Sequence, residues 1–332
     1  MTNDGAMRGT AIRQLVLACL MWGVSFPVAK ALEKVHAQAV PGVDSWFSAG
    51  ATMFVRFSIS AVIIGLMLAA KSRLRGITSN EWRQGLGIGV FSSVGLLMQF
   101  DGLAHTDAST SAFLTQASVI FVPMITALML RAWPGRRELL CCAMAVAGIA
   151  VLSDFDWHRF HMGRGEAETL ISALFFTGQI LWLERWCFRS NDSLRVSLIM
   201  FATVSFVSLL LLLGREPGLA ALPQAFASPA SRIFMLVLIG PCTLMAFLWM
   251  NKWQRHVSAT HAGLIYCLEP VFATGLAFVL PSLLASFAGV HYMNELPTSA
   301  MIVGGGLVLA ANVFMQWPVA NRNTSLLNEH GG

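Results

Sequence analysis

Residues 259–281 read ATHAGLIYCLEPVFATGLAFVLP. That run is long enough to cross a bilayer, since about 20 apolar residues rising 1.5 Å each cover a hydrocarbon core roughly 30 Å thick. Its middle nevertheless holds a carboxylate, Glu269, directly before Pro270. An ionisable group at mid-membrane costs on the order of 3 kcal/mol on insertion scales, so it is expected to face protein or a wet cavity. Pro270 would remove one helix hydrogen bond and push aside the carbonyl of Tyr266. Tyr266, Glu269 and Ala273 recur at helical spacing, with Ala262 below them, so one face mixes polar and small side chains. The expectation is that this helix forms one wall of a solute pathway.

Working outward, the whole chain has the same character. Of its 332 residues 56% are hydrophobic and 12% charged, with mean hydropathy +0.65. Soluble domains carry about 25% charge, so the composition is that of an integral membrane protein. A net charge of +5 could suggest anionic partners. Nucleic-acid binding, however, needs clustered Lys/Arg with reading elements, and the sequence has no such cluster. The six cysteines (19, 141, 142, 187, 242 and 267) form no CxxC pair and sit mostly in apolar runs, where they read as small hydrophobes.

The fold class expected is an all-α integral membrane bundle of ten transmembrane helices. The spans fall near 14–33, 49–70, 84–104, 108–130, 137–153, 166–184, 196–214, 233–251, 260–281 and 297–317. The fifth and sixth are the least apolar; the sixth carries Gln179 and is flanked by Glu166, Glu168 and Glu184. Residues 1–11 and 318–332 read as polar cytoplasmic tails, the first of them disordered. The outer connections near 34–48 and 282–295 look long, the former holding Trp46 and Phe47. Arg8 and Arg13 before an apolar run, with Ala37-Gln38-Ala39 beyond it, mimic a signal peptide. Lys30, Glu33 and Lys34 interrupt that pattern, and the first span is expected to be retained.

Orientation follows from the basic residues in the connections. With the N-terminus inside, fifteen of the 22 Lys/Arg fall on the cytoplasmic side, six outside, and Arg56 within a span. Both ends are therefore expected in the cytoplasm. The chain also divides into residues 12–154 and 165–317. Setting Ala108 on Ala259 brings AFLTQASV (112–119) against GLIYCLEP (263–270), so the fourth span opens like the ninth. Five helices per half is an odd number, which makes the two repeats inverted, with a solute site near mid-membrane between them. In this register Thr115 and Ser118 stand opposite Tyr266 and Glu269, and only the second half offers a charge.

Several residues could carry chemistry. Glu269 could bind an amine or exchange a proton, or it could be a structural carboxylate holding the kink at Pro270. Arg56 could pair with a buried carboxylate (Asp101 or Glu269), meet an anionic group on the solute, or snorkel outward. Trp22, Ser25, Gln99, Gln116, Gln179, Asn251 and Tyr266 are the remaining polar groups within spans, where amides and hydroxyls often simply join helices. Pro27, Pro123, Pro241 and Pro270 read as kinks, and Gly85, Gly87, Gly89, Gly304, Gly305 and Gly306 as close-packing points. His158 and His161 near Asp154 and Asp156, and His256 with His261, match no strong metal spacing. No phosphate loop or nucleophile elbow occurs, so no ATP, cofactor or metal is expected.

Taken together, Leu268-Glu269-Pro270-Val271-Phe272-Ala273 reached from Ser258-Ala259-Thr260, Trp22-Gly23-Val24-Ser25-Phe26, Arg56-Phe57, Asp107-Ala108-Ser109 leading to Phe113-Leu114-Thr115, and Asn294-Glu295 form an ordered set. The set resembles the drug/metabolite transporter superfamily in its EamA-like ten-helix branch, over residues 12–317. Asn294 departs from the glycine often found there. The resemblance implies a secondary carrier in a bacterial inner membrane that exports amino acids or related metabolites. It also implies a cavity between the first, third, fourth, sixth, eighth and ninth helices, which favours Trp22, Ser25, Gln116, Gln179 and Tyr266 as solute contacts. Because the Glu-Pro pair recurs in the family across different substrates, the resemblance leans toward a structural Glu269. Two rivals stand beside this reading: a proton-coupled exporter of hydrophobic cations, and an integral-membrane lipid-modifying enzyme. The second would need acid/base residues gathered at one interface, which the chain lacks.

Overall fold

The computed structural model describes residues 2–129, 131, 135–152, 162–183, 185–188, 190–257 and 265–316, and all regular structure among them is helical. The long elements are α1 (Thr2–Ala39), α2 (Ser45–Ala70), α3 (Ser79–His105), α4 (Ala108–Thr115), α5 (Ser118–Met129), α6 (Arg136–Leu152), α7 (Arg164–Leu183) and α8 (Ser193–Leu213). They are followed by a short α9 (Leu222–Ala225), then α10 (Pro229–Ile239), a π-turn over Gly240–Met245, α11 (Ala246–Trp253), α12 (Leu268–Ala277), α13 (Leu280–Ala288) and α14 (Ser299–Gln316). Among the described residues, five helical stretches are long and apolar enough to cross a membrane, and a sixth if the pair α12–α13, bent by 54°, counts as one span. Together they make a multi-pass integral membrane protein. The α6 and α7 segments do not reach that standard, in keeping with the weaker hydropathy of 137–153 and 166–184.

Four local expectations change. Residues 2–11 are the first turns of α1 rather than a disordered tail. The 34–48 stretch is not a long connection, because α1 runs on to Ala39 and α2 starts at Ser45, with Asp44 capping the Phe47 amide at 2.8 Å. Similarly, much of 282–295 is the helix α13, closed by Gly289 in the left-handed region at φ 68°. The fourth span is broken, since α4 ends in a turn at Gln116–Ala117 before α5 begins. The histidines and aspartates of 154–161, together with His261, Glu184 and the tail 318–332, lie outside the described residues.

Packing joins early helices to late ones. α3 lies against α7 and α8, α2 against α8, α6 against α14, and α1 against α10, α11 and α12. Small residues permit the closest approaches, as expected where helices associate without a hydrophobic driving force. A side chain at Gly85 or Gly89 would collide with Ile199 or Thr203 of α8. Gly148 and Gly304 bring α6 and α14 together, whereas Gly306 faces open space. The large exposed apolar side chains, among them Val62, Leu66, Leu210 and Leu236, form the lipid-facing surface.

At the turn between α2 and α3, α3 opens with a reciprocal capping box between Thr78 and Glu81. Arg195 of α8 pairs with Glu81 at 3.5 Å and donates to the carbonyls of Arg73, Arg75 and Gly76.

A methyl added at Gly304 would meet the Gly148 carbonyl and Leu152 at 2.8 Å. Gly304→Ala should therefore cost about 1–3 kcal/mol by overpacking. Gly306→Ala should be neutral or should stabilise by up to about 1 kcal/mol through helix propensity. Thermal unfolding of the two variants in detergent gives the comparison, and equal melting temperatures would contradict this packing.

Candidate functional site

Glu269 sits in the first turn of α12, where the hydrogen-bond ladder has just been interrupted at Cys267. The first four amides of a helix lack intrahelical partners, so Pro270, also in that turn, breaks no bond there. The expected mid-helix kink at Pro270 is thus a helix start, and the sharp bend of this segment comes later, between Ala277 and Leu280. A carboxylate in a first turn lies in the favourable end of the helix dipole. Glu269 is surrounded by protein yet keeps part of its surface accessible, and no described residue donates a hydrogen bond to it. Cys19 and Tyr266 are close enough to feel its charge.

α1 forms the opposite wall. At Gly23 it comes so close to α12 that a side chain there would lie 2.9 Å from the Phe272 Cβ and 3.0 Å from the Ala273 amide. That contact turns Trp22 toward Tyr266 (ring centroids 6.0 Å apart) and Phe247 (5.6 Å). The Trp22 indole N–H is buried without a partner, while the Tyr266 hydroxyl donates to Gln254 at 2.9 Å. Ser25 donates to the Trp22 carbonyl of its own helix, at 2.7 Å. Trp22, Tyr266 and Phe247 thus come together, with Glu269 near Tyr266.

The aromatic contacts continue from Phe247 to Phe201 and on to Phe57, over which the Arg56 guanidinium stands at 5.5 Å. Arg56 is 2% exposed and pairs with neither Asp101 nor Glu269. It donates instead to the Thr243 hydroxyl and, at 3.1 Å, to the Cys242 carbonyl, both in the π-turn; its remaining terminal nitrogen has no partner. Pro241 explains why that turn is open, since a proline cannot donate to the preceding turn. Thr243 also donates to the Leu238 carbonyl at 2.8 Å. Asp101 has a different cation, Arg164 of α7.

Gln116 lies at the α4–α5 turn, its carbonyl accepting from Asn312. Thr115 beside it accepts from Gln99 at 2.9 Å. Gln179 joins α7 to α3 by accepting from Ser92 at 2.8 Å, which is a helix-joining role. Outside the spans, burial pushes the Glu295 carboxyl up, against the downward pull of its hydrogen bonds from Ser109 and the Ala108 amide. Among the described residues no group of three His, Cys, Asp or Glu side chains could hold a metal ion.

Residues 10–154 match the model of the EamA-like transporter family. A protein of Archaeoglobus fulgidus named an uncharacterized transporter is 24% identical over 312 residues, which is 94% of this chain and 87% of that one. The chain is thus similar, through its first half, to the EamA-like transporter family, the branch of the drug/metabolite transporter superfamily that the sequence motifs resemble. A crystal structure 16% identical in sequence covers 89% of this chain and 95% of its own, with a TM-score of 0.52, a likeness of fold. The family and the named relative point to a transporter rather than an enzyme.

Phe247, Thr243 and Cys19 were not candidates on sequence, because an aromatic, a threonine and a cysteine in apolar runs carry no signal of their own. Pro241 was the available hint, as a break in the eighth span directly before Thr243.

Lysine cannot reproduce the forked donation of arginine to Thr243 and the Cys242 carbonyl. With charged hydrogen bonds contributing roughly 1.5–3 kcal/mol each, Arg56→Lys should lower stability by about that much. Arg56→Gln should do so at least as strongly. Chemical or thermal denaturation in detergent checks this, and a fully stable Arg56→Gln would mean that the π-turn does not need its cation.

Proposed function

We propose that this transporter is a secondary carrier that moves a small organic solute, an amino acid or a related metabolite, outward by alternating access. It has ten spans in two inverted halves and both termini in the cytoplasm. The observation that carries the reading is Glu269, a carboxylate within the bundle with no described partner, near Tyr266, whose ring faces Trp22 with its unpartnered indole N–H. A carboxylate in that position is satisfied by a solute amine or by a proton. Trp22, Tyr266 and Phe247 supply the apolar wall, Ser25 and Gln116 line it from α1 and from the α4–α5 turn, and Gln179 and Arg56 brace the helices around it.

The inverted architecture is supported by two regularities. In the register that sets Ala108 on Ala259, Gln116 falls on Cys267, so the helix ladder is interrupted at matching places in the two halves. Packing repeats in the same way: α2 with α8, α4 with α12 and α6 with α14 pair corresponding elements, and α3 with α7 corresponds to α11 with α1. Such pairing suits a site between the halves near the midplane.

A second reading is favoured by the aromatic rings beside Glu269. An unpaired carboxylate near Tyr266, whose ring meets Trp22 and through it Phe247, is also what a hydrophobic cation would seek. In that case Glu269 exchanges protons for drug.

Flux in proteoliposomes loaded with an amino-acid and metabolite mixture tests both, comparing wild type with Glu269→Gln, with and without a pH gradient. Selective flux that follows the gradient and falls at least about tenfold in the variant, some 1.4 kcal/mol, is the expected result. Gradient-driven efflux of lipophilic cations without amino-acid flux would favour the second reading. Absence of flux for every solute and cation from folded protein would overturn the carrier.

A further inference from the structure

In the orientation proposed above, α1, α4, α7 and the 289–298 connection converge at the outer face on the corner where α3 gives way to α4. α4 starts after Asp107, but the Asp107 side chain makes no capping bond. The cap comes from Glu295, far away in the chain. One Glu295 oxygen accepts from the Ala108 amide at 2.7 Å, and the other accepts from the Ser109 amide at 3.3 Å and from the Ser109 hydroxyl. Lys30 of α1 holds the same corner by donating to the Thr106 carbonyl, and it lies 3.8 Å from Asp107.

The other bonds of the Glu295 segment lead back to the bent pair. The Glu295 amide donates to the Ala277 carbonyl at 3.0 Å, and Asn294 accepts from the Ser282 amide at 2.8 Å. Hence this segment travels with α12 and α13, and its carboxylate reaches across to α4. Beneath the carboxylate, α4 and α12 meet through Ala108 and Ala112 on one side and Ala273 and Ala277 on the other. Methyl groups allow close approach but interlock little, so this seam offers small resistance to separation. The groups Glu295 holds are the first amides of a helix, which water can satisfy once they are let go.

We propose that Glu295 is the latch of an outer gate. Its bonds to the first turn of α4 hold the alanine seam between α4 and α12 closed, and their release lets the two helices part at the outer face. The gate rests on the carrier reading; the latch contact itself can be read without any transported solute.

The test is hydrogen–deuterium exchange of the full-length protein in nanodiscs of phosphatidylethanolamine and phosphatidylglycerol. Glu295→Ala should raise exchange in 107–112 and 289–298 by about tenfold or more, with α2 and α8 unchanged. Glu295→Gln, which keeps an acceptor oxygen and guards against misfolding, should give a smaller rise in the same segments. Wild-type exchange at 107–112 in Glu295→Ala would overturn the latch, as would a rise spread evenly over all helices. Pairing Ser109→Cys with Glu295→Cys then tests the gate, with each single variant controlling for native cysteines. Oxidation should stop amino-acid flux in proteoliposomes, and reductant should restore it. Flux indifferent to oxidation of a formed cross-link would overturn the gate. Absence of flux even in wild type would instead count against the carrier reading and leave the exchange result to judge the latch.

Discussion

The interrupted backbone within the bundle is the constraint from which the rest of the molecule can be understood. In hydrocarbon a backbone amide or carbonyl must find its partner within the protein, so a helix can be broken only where neighbours cover the break. This chain opens its ladder at Gln116–Ala117, at Gly240–Met245 and at Cys267. At the first break a buried asparagine, Asn312, reaches the Gln116 carbonyl; at the second, Arg56 and Thr243 fill the gap; at the third, the Ile265 carbonyl just before it accepts from Cys19. Asn312, Arg56, Thr243 and Cys19 thus serve the backbone, each buried within the bundle.

Charge is arranged to the same end. The paired ions gather at opposite ends of α3, Arg195 with Glu81 at its start and Arg164 with Asp101 and Glu168 toward its end. Between them stand Arg56 and Glu269, each without an ionic partner among the described residues. A buried ion of this kind is costly to keep. Arg56 is partly compensated by dipoles and by the faces of Phe57 and Phe100, and Glu269 by the start of α12. They are also of unlike use, since Arg56 is enclosed and Glu269 is accessible.

Much of this was legible in the sequence, and for definite reasons. Hydropathy located helix in every segment marked as a span, and an acid followed by proline in an apolar run singled out Glu269. What escaped was whatever depended on contacts between distant residues. The first span is expected to end near residue 33, yet α1 runs on to Ala39, with Lys30 bonding the Thr106 carbonyl and Lys34 lying over the Tyr292 ring. The turn at Gln116–Ala117 has neither glycine nor proline to announce it. Arg56 suggested a carboxylate partner, and its neutral partners come from a turn nearly two hundred residues away. Glu295 drew notice as part of a motif, but the helix it caps has an aspartate of its own at the cap position, which conceals the need for another.

The contact of α8 with the turn between α2 and α3 has a consequence for how the chain is made. Arg195 holds the carbonyls of Arg73, Arg75 and Gly76, partners 119 to 122 residues apart in sequence. At ribosomal speeds of about 5–20 residues per second, the turn between α2 and α3 leaves the translation machinery roughly ten seconds before its arginine does. For that interval the early helices lie in the bilayer with exposed loop carbonyls and with glycine-lined faces awaiting α7 and α8. The helices up to α6 are therefore a biosynthetic intermediate, and the insertion machinery must shelter them until α7 and α8 arrive.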